Sequence, residues 1–307
     1  MIVILGPTAT GKTSIATRLA ALVNGEIISA DSRQVVRGMD IGSGKDLSEY
    51  IVDGVPIPYH LIDIVDPGTE YSLYDFQRGC YKAYDQIVAR GNTPILCGGT
   101  GLYLESVIRA YPLVEVPFNE ELRSQLDGFS LEQLSEMLAK FKKLHNHTDT
   151  ENRERVYRAL EIETFYRDYP QIVQNSTKVI EPVTVFGVHF DREIIRDRIT
   201  QRLEERLANG MIEEVRRLVD GGVSHDRLQK YGLEYKFVSL YLQQKMNSQK
   251  LFEELNIAIH QFAKRQSTWF RRMEKNGIPI IWIDGNLPME DKIQYIVKMS
   301  KINRADN

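Results

Sequence analysis

Short runs of apolar residues recur along the first part of the chain, and each is followed by a turn and a helical pattern. Residues 2–5 lead into a glycine-rich turn, and similar runs cover residues 26–29 and 94–97. An apolar run of this length without polar alternation is typical of a parallel strand that is buried on both faces. Strands that alternate with helices predict an α/β fold, in which a parallel sheet is flanked by helices.

The strand pattern stops at about residue 114 and is replaced by helical segments as far as residue 182. One helix is predicted to begin at Ser130, which forms a capping box with Gln133, and another at Thr148, which does the same with Glu151. Residues 114–182 are therefore predicted to form a helical insertion domain.

The strand pattern resumes after the insertion, so the core is predicted to be discontinuous, over residues 1–113 and 183–307. The later predicted elements are a strand at 183–188, helices at 193–218 and 251–274, and a strand at 278–283.

The composition is that of an ordinary globular protein, with 42% hydrophobic and 26% charged residues among 307. Because the formal net charge is −3, any nucleic-acid site has to be a local basic patch. No apolar run approaches the roughly 18 residues of a membrane span, the first residues lack the pattern of an export signal, and Cys80 and Cys97 form no metal-binding pattern. We expect a cytoplasmic protein without membrane association, and we infer no obligate protein partner.

The turn after the first strand matches a phosphate-binding P-loop. Its glycines let backbone N–H groups converge on phosphate oxygens, while Lys12 supplies a positive charge and the Thr13 hydroxyl can bind Mg²⁺. A phosphorylated ligand and Mg²⁺ are therefore predicted. The P-loop residues are Gly6, Pro7, Thr8, Ala9, Thr10, Gly11, Lys12 and Thr13.

A second glycine-rich segment, Gly-Ser-Gly-Lys at residues 42–45, echoes the P-loop. Asp46 stands where a P-loop has a hydroxyl residue, and no buried strand leads into the segment. We interpret it as a surface turn.

A P-loop alone does not identify a reaction, because most P-loop proteins cleave or transfer a γ-phosphoryl group. Further segments, in order along nearly the whole chain, resemble the tRNA dimethylallyltransferase family. The resemblance implies a P-loop α/β core with a helical insertion that grips the tRNA anticodon stem-loop. The segments are GPTATGKT at 6–13, SADSRQVVRGMDIG at 29–42, HLIDIVDP at 60–67, YSLYDFQR at 71–78, GGTGLYL at 98–104, RALEI at 158–162 and QFAKRQSTWFR at 261–271.

The resemblance also implies a reaction, in which a dimethylallyl group moves from dimethylallyl diphosphate to N6 of the adenine on the 3′ side of the anticodon. In the family the P-loop holds the diphosphate, and the flipped adenine enters from the opposite side. Asp31 matches the family's general base, and Thr100 matches the threonine that orients the amine. Lys12, Mg²⁺ and Arg202 are the candidates that neutralise the leaving diphosphate.

Contacts with tRNA are implied as well. The chain departs from the family's pattern at Glu154, where Gln is usual, at Val36, where Tyr is common, and at residues 232–236, where a shorter turn is usual. These departures concern local RNA contacts more than the chemistry. The predicted tRNA-binding residues are Asp31, Ser32, Arg33, Gln34, Thr100, Arg123, Glu154, Arg155 and Arg158.

Each of these assignments has an alternative. Asp31 and Thr100 could be ordinary turn residues, Arg202 could belong to a solvated, salt-bridged helix face, and Glu154 could pair with Arg158 one turn along a helix. The alternative functions are an adenylate isopentenyltransferase that takes a free nucleotide, a nucleotide or metabolite kinase, and a non-catalytic RNA-binding module. The helical insertion favours an RNA substrate over a free nucleotide.

Overall fold

The computed structural model describes residues 1–141 and 150–301. The chain divides into two compact units, of which the first contains Met1–Arg109 and Val179–Asn307 and the second contains Ala110–Lys178. None of the described helices is long and apolar enough to span a membrane.

Within the part of the chain that the structure describes, the first unit contains the strands and most of the helices. The strands are β1 (Ile2–Leu5), β2 (Gly25–Ser29), β3 (Ile51–Val52), β4 (Val55–Pro56), β5 (Tyr59–His60), β6 (Thr93–Gly98), β7 (Thr184–His189) and β8 (Ile280–Asp284). The α-helices of the described residues are α1 (Lys12–Val23), α2 (Leu73–Ala89), α3 (Gly101–Ile108), α4 (Glu120–Leu126), α5 (Leu131–Phe141), α6 (Arg153–Asp168), α7 (Pro170–Gln174), α8 (Arg192–Ala208), α9 (Met211–Asp220), α10 (His225–Leu228), α11 (Leu233–Leu242), α12 (Ser248–Lys275) and α13 (Met289–Ser300).

Six strands form a parallel sheet in the order β5-β2-β6-β1-β7-β8, so the predicted α/β fold is confirmed. Successive side chains of a strand point to opposite sides, and those of the central strand β1 are buried on both faces of the sheet. Val3 and Leu5 pack with residues of α2 and α3, whereas Ile2 and Ile4 pack with residues of α1 and α13. The sheet therefore lies between two apolar layers.

A third apolar cluster joins helices α8, α9, α11 and α12. The single helix predicted over residues 193–218 is wrong, since α8 ends at Ala208 and α9 begins at Met211. Gly210 lies between them with a φ of 96°, a backbone conformation that glycine adopts readily and that interrupts a helix. Apolar residues on both sides of the break obscured it in the sequence.

The second unit is helical and has a small core of its own, which includes Leu134, Leu138 and Val156. The capping box predicted at the start of α5 is confirmed, because Ser130 N donates to Gln133 Oε1 at 2.8 Å and Gln133 N donates to Ser130 Oγ at 3.2 Å. The second predicted capping residue, Thr148, lies outside the described residues. Helix α6 is instead capped by Asn152, whose side chain accepts from the backbone N–H of Arg155.

Candidate active site

The carboxyl ends of β1, β2 and β6 open onto one pocket. Lys12 and Thr13 line it from the turn after β1, and Asp31 lines it from the turn after β2. Arg202 reaches the same pocket from α8. Ligands of open parallel sheets bind beyond the carboxyl ends of the strands, so this pocket occupies the position expected for a substrate.

The P-loop wraps around the start of α1. Ala9 and Gly11 have φ values of 64° and 72°, and Thr10 Oγ1 donates to the Pro7 carbonyl at 2.9 Å. Within the described residues no side chain caps α1, which leaves the helix N-terminus suited to an anion. Burial lowers the pKa of Lys12, whose ammonium lies 3.4 Å from the Pro7 carbonyl. An anionic ligand would favour the charged form of this lysine.

Asp31 holds the turn after β2 and also faces the pocket. Its Oδ1 accepts from the backbone N–H of Arg33 at 3.0 Å and lies 3.5 Å from Arg33 Nε. The side chain is 15% exposed. Asp31 can therefore cap the turn and act at the pocket at the same time.

Thr100 lies beside that turn. Its Oγ1 accepts from the backbone N–H of Ser32 at 3.1 Å, and its own N–H donates to the Ala30 carbonyl at 3.1 Å. The two loops approach closely at Gly98, where a Cβ atom would collide with the Ala30 carbonyl. The glycine at this position lets the loop that carries Thr100 lie against the loop that carries Asp31.

Arg202 forms an ion pair with Asp46, with 2.6 Å between Nη2 and Oδ2. The side chain is one-third exposed. Arg202 is therefore salt-bridged, as expected for a solvated helix face, and it also lines the pocket, as a diphosphate-binding arginine must.

The interpretation of residues 42–45 as a surface turn is wrong. Ser43 and Lys45 are buried, and Ser43 and Gly44 line the same pocket as the P-loop. Lys45 Nζ donates to the Val36 carbonyl at 2.9 Å and to the carboxylates of Asp40 and Asp63. A lysine surrounded by oxygen atoms can be buried without leaving its charge unpaired, and the local sequence pattern does not show such partners.

This second glycine-rich loop is anchored from behind by Glu214 of α9. Its buried carboxylate accepts from the backbone N–H groups of Asp40, Ile41 and Gly42 at 3.0, 2.7 and 3.1 Å, and from the Tyr235 hydroxyl at 2.8 Å. Gln34, one of the predicted tRNA-binding residues, holds the loop from the other side by donating to the Gly44 carbonyl at 3.2 Å. The loop is thereby held against the pocket.

Gln266 was missed in the sequence. It lies 7% exposed in the buried stripe of α12, where its neighbours along the stripe are apolar. Its Oε1 accepts from the Thr8 backbone N–H at 2.9 Å, and its Nε2 donates to the Gly99 carbonyl at 2.9 Å. A single amide therefore joins the P-loop to the loop after β6. A polar residue in the apolar stripe of a long helix was the available signal.

The predicted tRNA-binding residues of the insertion lie in the second unit, and each takes part in an ion pair. Arg123 bonds Glu154 and Glu161, each at 2.7 Å, while Arg158 bonds Glu161 at 2.9 Å and the Val116 carbonyl at 2.7 Å. The suggested pair between Glu154 and Arg158 is therefore wrong, because Glu161 holds Arg158 and Arg123 holds Glu154.

Arg155 differs from those two arginines in its partner, since Arg123 and Arg158 pair with buried Glu161 whereas Arg155 pairs with exposed Glu151. Half of its side chain is exposed, and its guanidinium pairs with Glu151 one turn earlier at 2.7 Å. An exposed pair of this kind contributes little to stability. The exposed half of this side chain is accessible to a polyanion.

Binding of Mg²⁺ at this pocket would require phosphate oxygens of the substrate in addition to protein ligands. Among the described residues, no three His, Cys, Asp or Glu side chains cluster as a metal site. Mg²⁺ commonly binds through one or two protein ligands together with substrate phosphates. The Thr13 hydroxyl in the P-loop suits such a shared site, and the described residues offer no cage for Mg²⁺ alone.

Comparison with known proteins gives consistent matches. Residues 34–273 match the family model described as IPP transferase, and residues 1–54 match the one described as isopentenyl transferase. A Bacteroides fragilis protein named tRNA dimethylallyltransferase 2 is 52% identical over 308 residues, which cover 98% of each chain. A crystal structure of the tRNA isopentenylpyrophosphate transferase from Bacillus halodurans is 33% identical, with a TM-score of 0.70 over 98% of this chain and 95% of that one.

The fold also extends to a more distant structure. A eukaryotic dimethylallyltransferase that acts on tRNA is 21% identical and has a TM-score of 0.77, covering 100% of this chain and 81% of its own. At this identity the likeness concerns the fold alone.

The amide bridge leads to the first prediction. In Gln266→Met a side chain of similar length loses both polar atoms, so the Thr8 N–H and the Gly99 carbonyl lose their partner. We expect unfolding in urea to become easier by about 1–3 kcal/mol and the affinity for inorganic pyrophosphate to fall, because the P-loop is no longer held. Gln249→Met, on the exposed face of the same helix, is the control. Unchanged pyrophosphate affinity in Gln266→Met, measured by calorimetry, would show that the bridge does not shape the phosphate site.

Proposed function

Since this chain belongs to the IPP transferase family, we propose that it transfers a dimethylallyl group from dimethylallyl diphosphate to N6 of an adenine in tRNA and releases diphosphate. The adenine is the one on the 3′ side of the anticodon. The observation that carries the proposal is the meeting of Lys12, Thr13 and Arg202 with Asp31 in one pocket. The cations suit a leaving diphosphate, and the carboxylate suits a nucleophile that must lose a proton.

In the proposed reaction, the N6 lone pair attacks C1 of the dimethylallyl group while the bond from C1 to the diphosphate oxygen breaks. An exocyclic adenine amine is a weak nucleophile, because its lone pair is delocalised into the ring. Asp31 accepts the N6 proton, and Thr100, on the neighbouring loop, orients the amine. The hydrogen bond from Arg33 N–H holds the Asp31 carboxylate in place.

The diphosphate occupies the P-loop side of the pocket. Lys12, Arg202 and the backbone N–H groups at the start of α1 bind its oxygens and stabilise the negative charge that develops as the bond breaks. Bound Mg²⁺, with the Thr13 hydroxyl as a ligand, would neutralise part of the same charge.

The tRNA contacts are proposed to come from two places. Arg33 and Gln34 line the pocket with the proposed base, and Ser32 lies in the same turn. Arg123, Glu154, Arg155 and Arg158 belong to the helical unit. A net charge of −3 makes such a local grip necessary. A tRNA substrate also implies a cytoplasmic location.

The proposal is tested by one transfer assay. The protein is incubated with Mg²⁺ and labelled dimethylallyl diphosphate, and with either unmodified tRNA or AMP. We expect label in tRNA alone. Label in AMP alone would assign the protein to free-nucleotide transfer, and phosphate release from ATP without prenyl transfer would assign it to the kinases.

The role of Asp31 is tested by Asp31→Asn rather than by truncation. The amide oxygen can still accept from Arg33 N–H, so the turn is preserved, but the side chain no longer takes up a proton. We expect kcat to fall by roughly 10²-fold or more while tRNA affinity changes little. Near-normal kcat in this variant would reduce Asp31 to its turn-capping role.

The grip on tRNA is tested through Arg155. Arg155→Ala should weaken tRNA binding and make the slope of log affinity against log salt shallower by about one, because one fewer counterion is displaced. The affinity for the donor should be unchanged. Arg167→Ala removes the same charge from the exposed surface of the same helix and should leave the salt slope unaltered. If both variants have the wild-type slope, Arg155 makes no phosphate contact.

For Arg158→Ala we expect a loss of thermal stability in addition to weaker tRNA binding. Arg158 holds the Val116 carbonyl and buried Glu161, so this variant should also melt at a lower temperature than Arg155→Ala.

A further inference from the structure

Arg206 follows Arg202 by one turn of α8 and lines the same pocket. Its side chain is 13% exposed. The Nη2 atom is buried, and across residues 1–141 and 150–301 no atom accepts a hydrogen bond from it. A buried charged donor without an acceptor is destabilising, and this is therefore an uncommon arrangement in a folded protein.

The nearest acids do not supply the missing bond. Asp46 Oδ2 lies 3.8 Å from Arg206 Nη2, and Glu234 Oε1 lies 3.9 Å from Nη1. Both carboxylates have closer partners, since Asp46 pairs with Arg202 at 2.6 Å and Glu234 pairs with Arg33 at 3.2 Å. They moderate the charge of Arg206 through space and leave its donor available.

The surroundings of Arg206 are arranged to keep the guanidinium at the pocket. Its Nη2 lies against Gly44, where a Cβ atom would collide with it. Gly44 has a φ of 74° and belongs to the loop that is anchored by Glu214. The loop therefore leaves room for this arginine in the lining of the pocket that Lys12 and Thr13 also line.

The electrostatic setting also favours an anion. Burial, together with the neighbouring charge of Arg202, lowers the pKa of Arg206 to about 10. The group is still protonated at neutral pH, and it would gain stability from an anion that neutralises both arginines.

We infer that Arg206 is a further binding residue for the diphosphate of the donor, and that its Nη2 donates a hydrogen bond to a phosphate oxygen beside Arg202. The nature of the ligand rests on the proposed function. Arg206 binds the diphosphate in the substrate and in the product. Because negative charge grows on the diphosphate as its bond to carbon breaks, the same contact also raises the rate of transfer.

The test compares Arg206→Met and Arg206→Lys with the wild type. Inorganic pyrophosphate with Mg²⁺ is the probe, titrated by calorimetry, and kcat and KM for dimethylallyl diphosphate are measured with tRNA. We expect Arg206→Met to bind pyrophosphate roughly tenfold to a hundredfold more weakly, as for the loss of a charge-assisted hydrogen bond. Arg206→Lys should restore part of the affinity, since it keeps the charge without the guanidinium fork. Arg196→Met, which removes an exposed arginine of the same helix, should match the wild type.

Thermal unfolding separates ligand binding from a structural role. Without ligand, Arg206→Met should melt at or above the wild-type temperature, because an apolar side chain replaces a buried cation whose Nη2 has no hydrogen-bond acceptor. The rise in Tm that pyrophosphate produces should shrink. A lower Tm together with unchanged pyrophosphate affinity would make Arg206 structural and overturn the inference. If Arg206→Met fails to fold, wild-type pyrophosphate affinity in Arg206→Lys overturns it too.

The two proposals fail in different ways. Absence of prenyl transfer by the wild type would overturn the proposed function, whereas the pyrophosphate affinities would still decide whether Arg206 binds a diphosphate.

Discussion

Mutual repulsion among cationic side chains is the constraint on which the site depends. Lys12, Arg33, Arg202 and Arg206 line a single pocket in a chain whose net charge is −3. Three carboxylates offset this repulsion. Asp31 and Glu234 lie against Arg33, and Asp46 lies against Arg202. The compensation is incomplete at Lys12 and at Arg206, two of the three cations that we propose bind the diphosphate.

The same charges connect the two halves of the proposed reaction. Arg33 contacts the proposed base, Asp31, and also Glu234, whose carboxylate lies 3.9 Å from Arg206. If a bound diphosphate moved Arg206 away from Glu234, the electrostatic potential at Arg33 would change, and with it the potential at Asp31. The proposed donor and acceptor sites therefore share an electrostatic environment, although each is built on a different strand end.

Polar side chains on helices keep the surrounding loops in place. Gln266 joins the P-loop to the loop after β6, and Glu214 gathers three backbone N–H groups of the loop at residues 40–42. A buried amide or carboxylate is stable only when its bonds are satisfied. Loss of either group would therefore disturb loop geometry as well as stability. The helical unit uses the same device, with Glu161 between Arg123 and Arg158.

The sequence by itself determined the parallel sheet, the P-loop with Lys12 and Thr13, and the place of Asp31 at a strand end, because apolar periodicity and local motifs depend on neighbouring residues. Arg202 was a candidate only through the family resemblance. The broken helix at Gly210 was missed because its apolar residues continue across the break. Other features were decided only by the tertiary structure. The burial of Lys45, the bridge made by Gln266 and the partner of Glu154 depend on residues far away in sequence. The unsatisfied donor of Arg206 follows from the same cause, since hydrogen-bond partners are fixed by packing, and no local pattern records which distant atoms will be within reach.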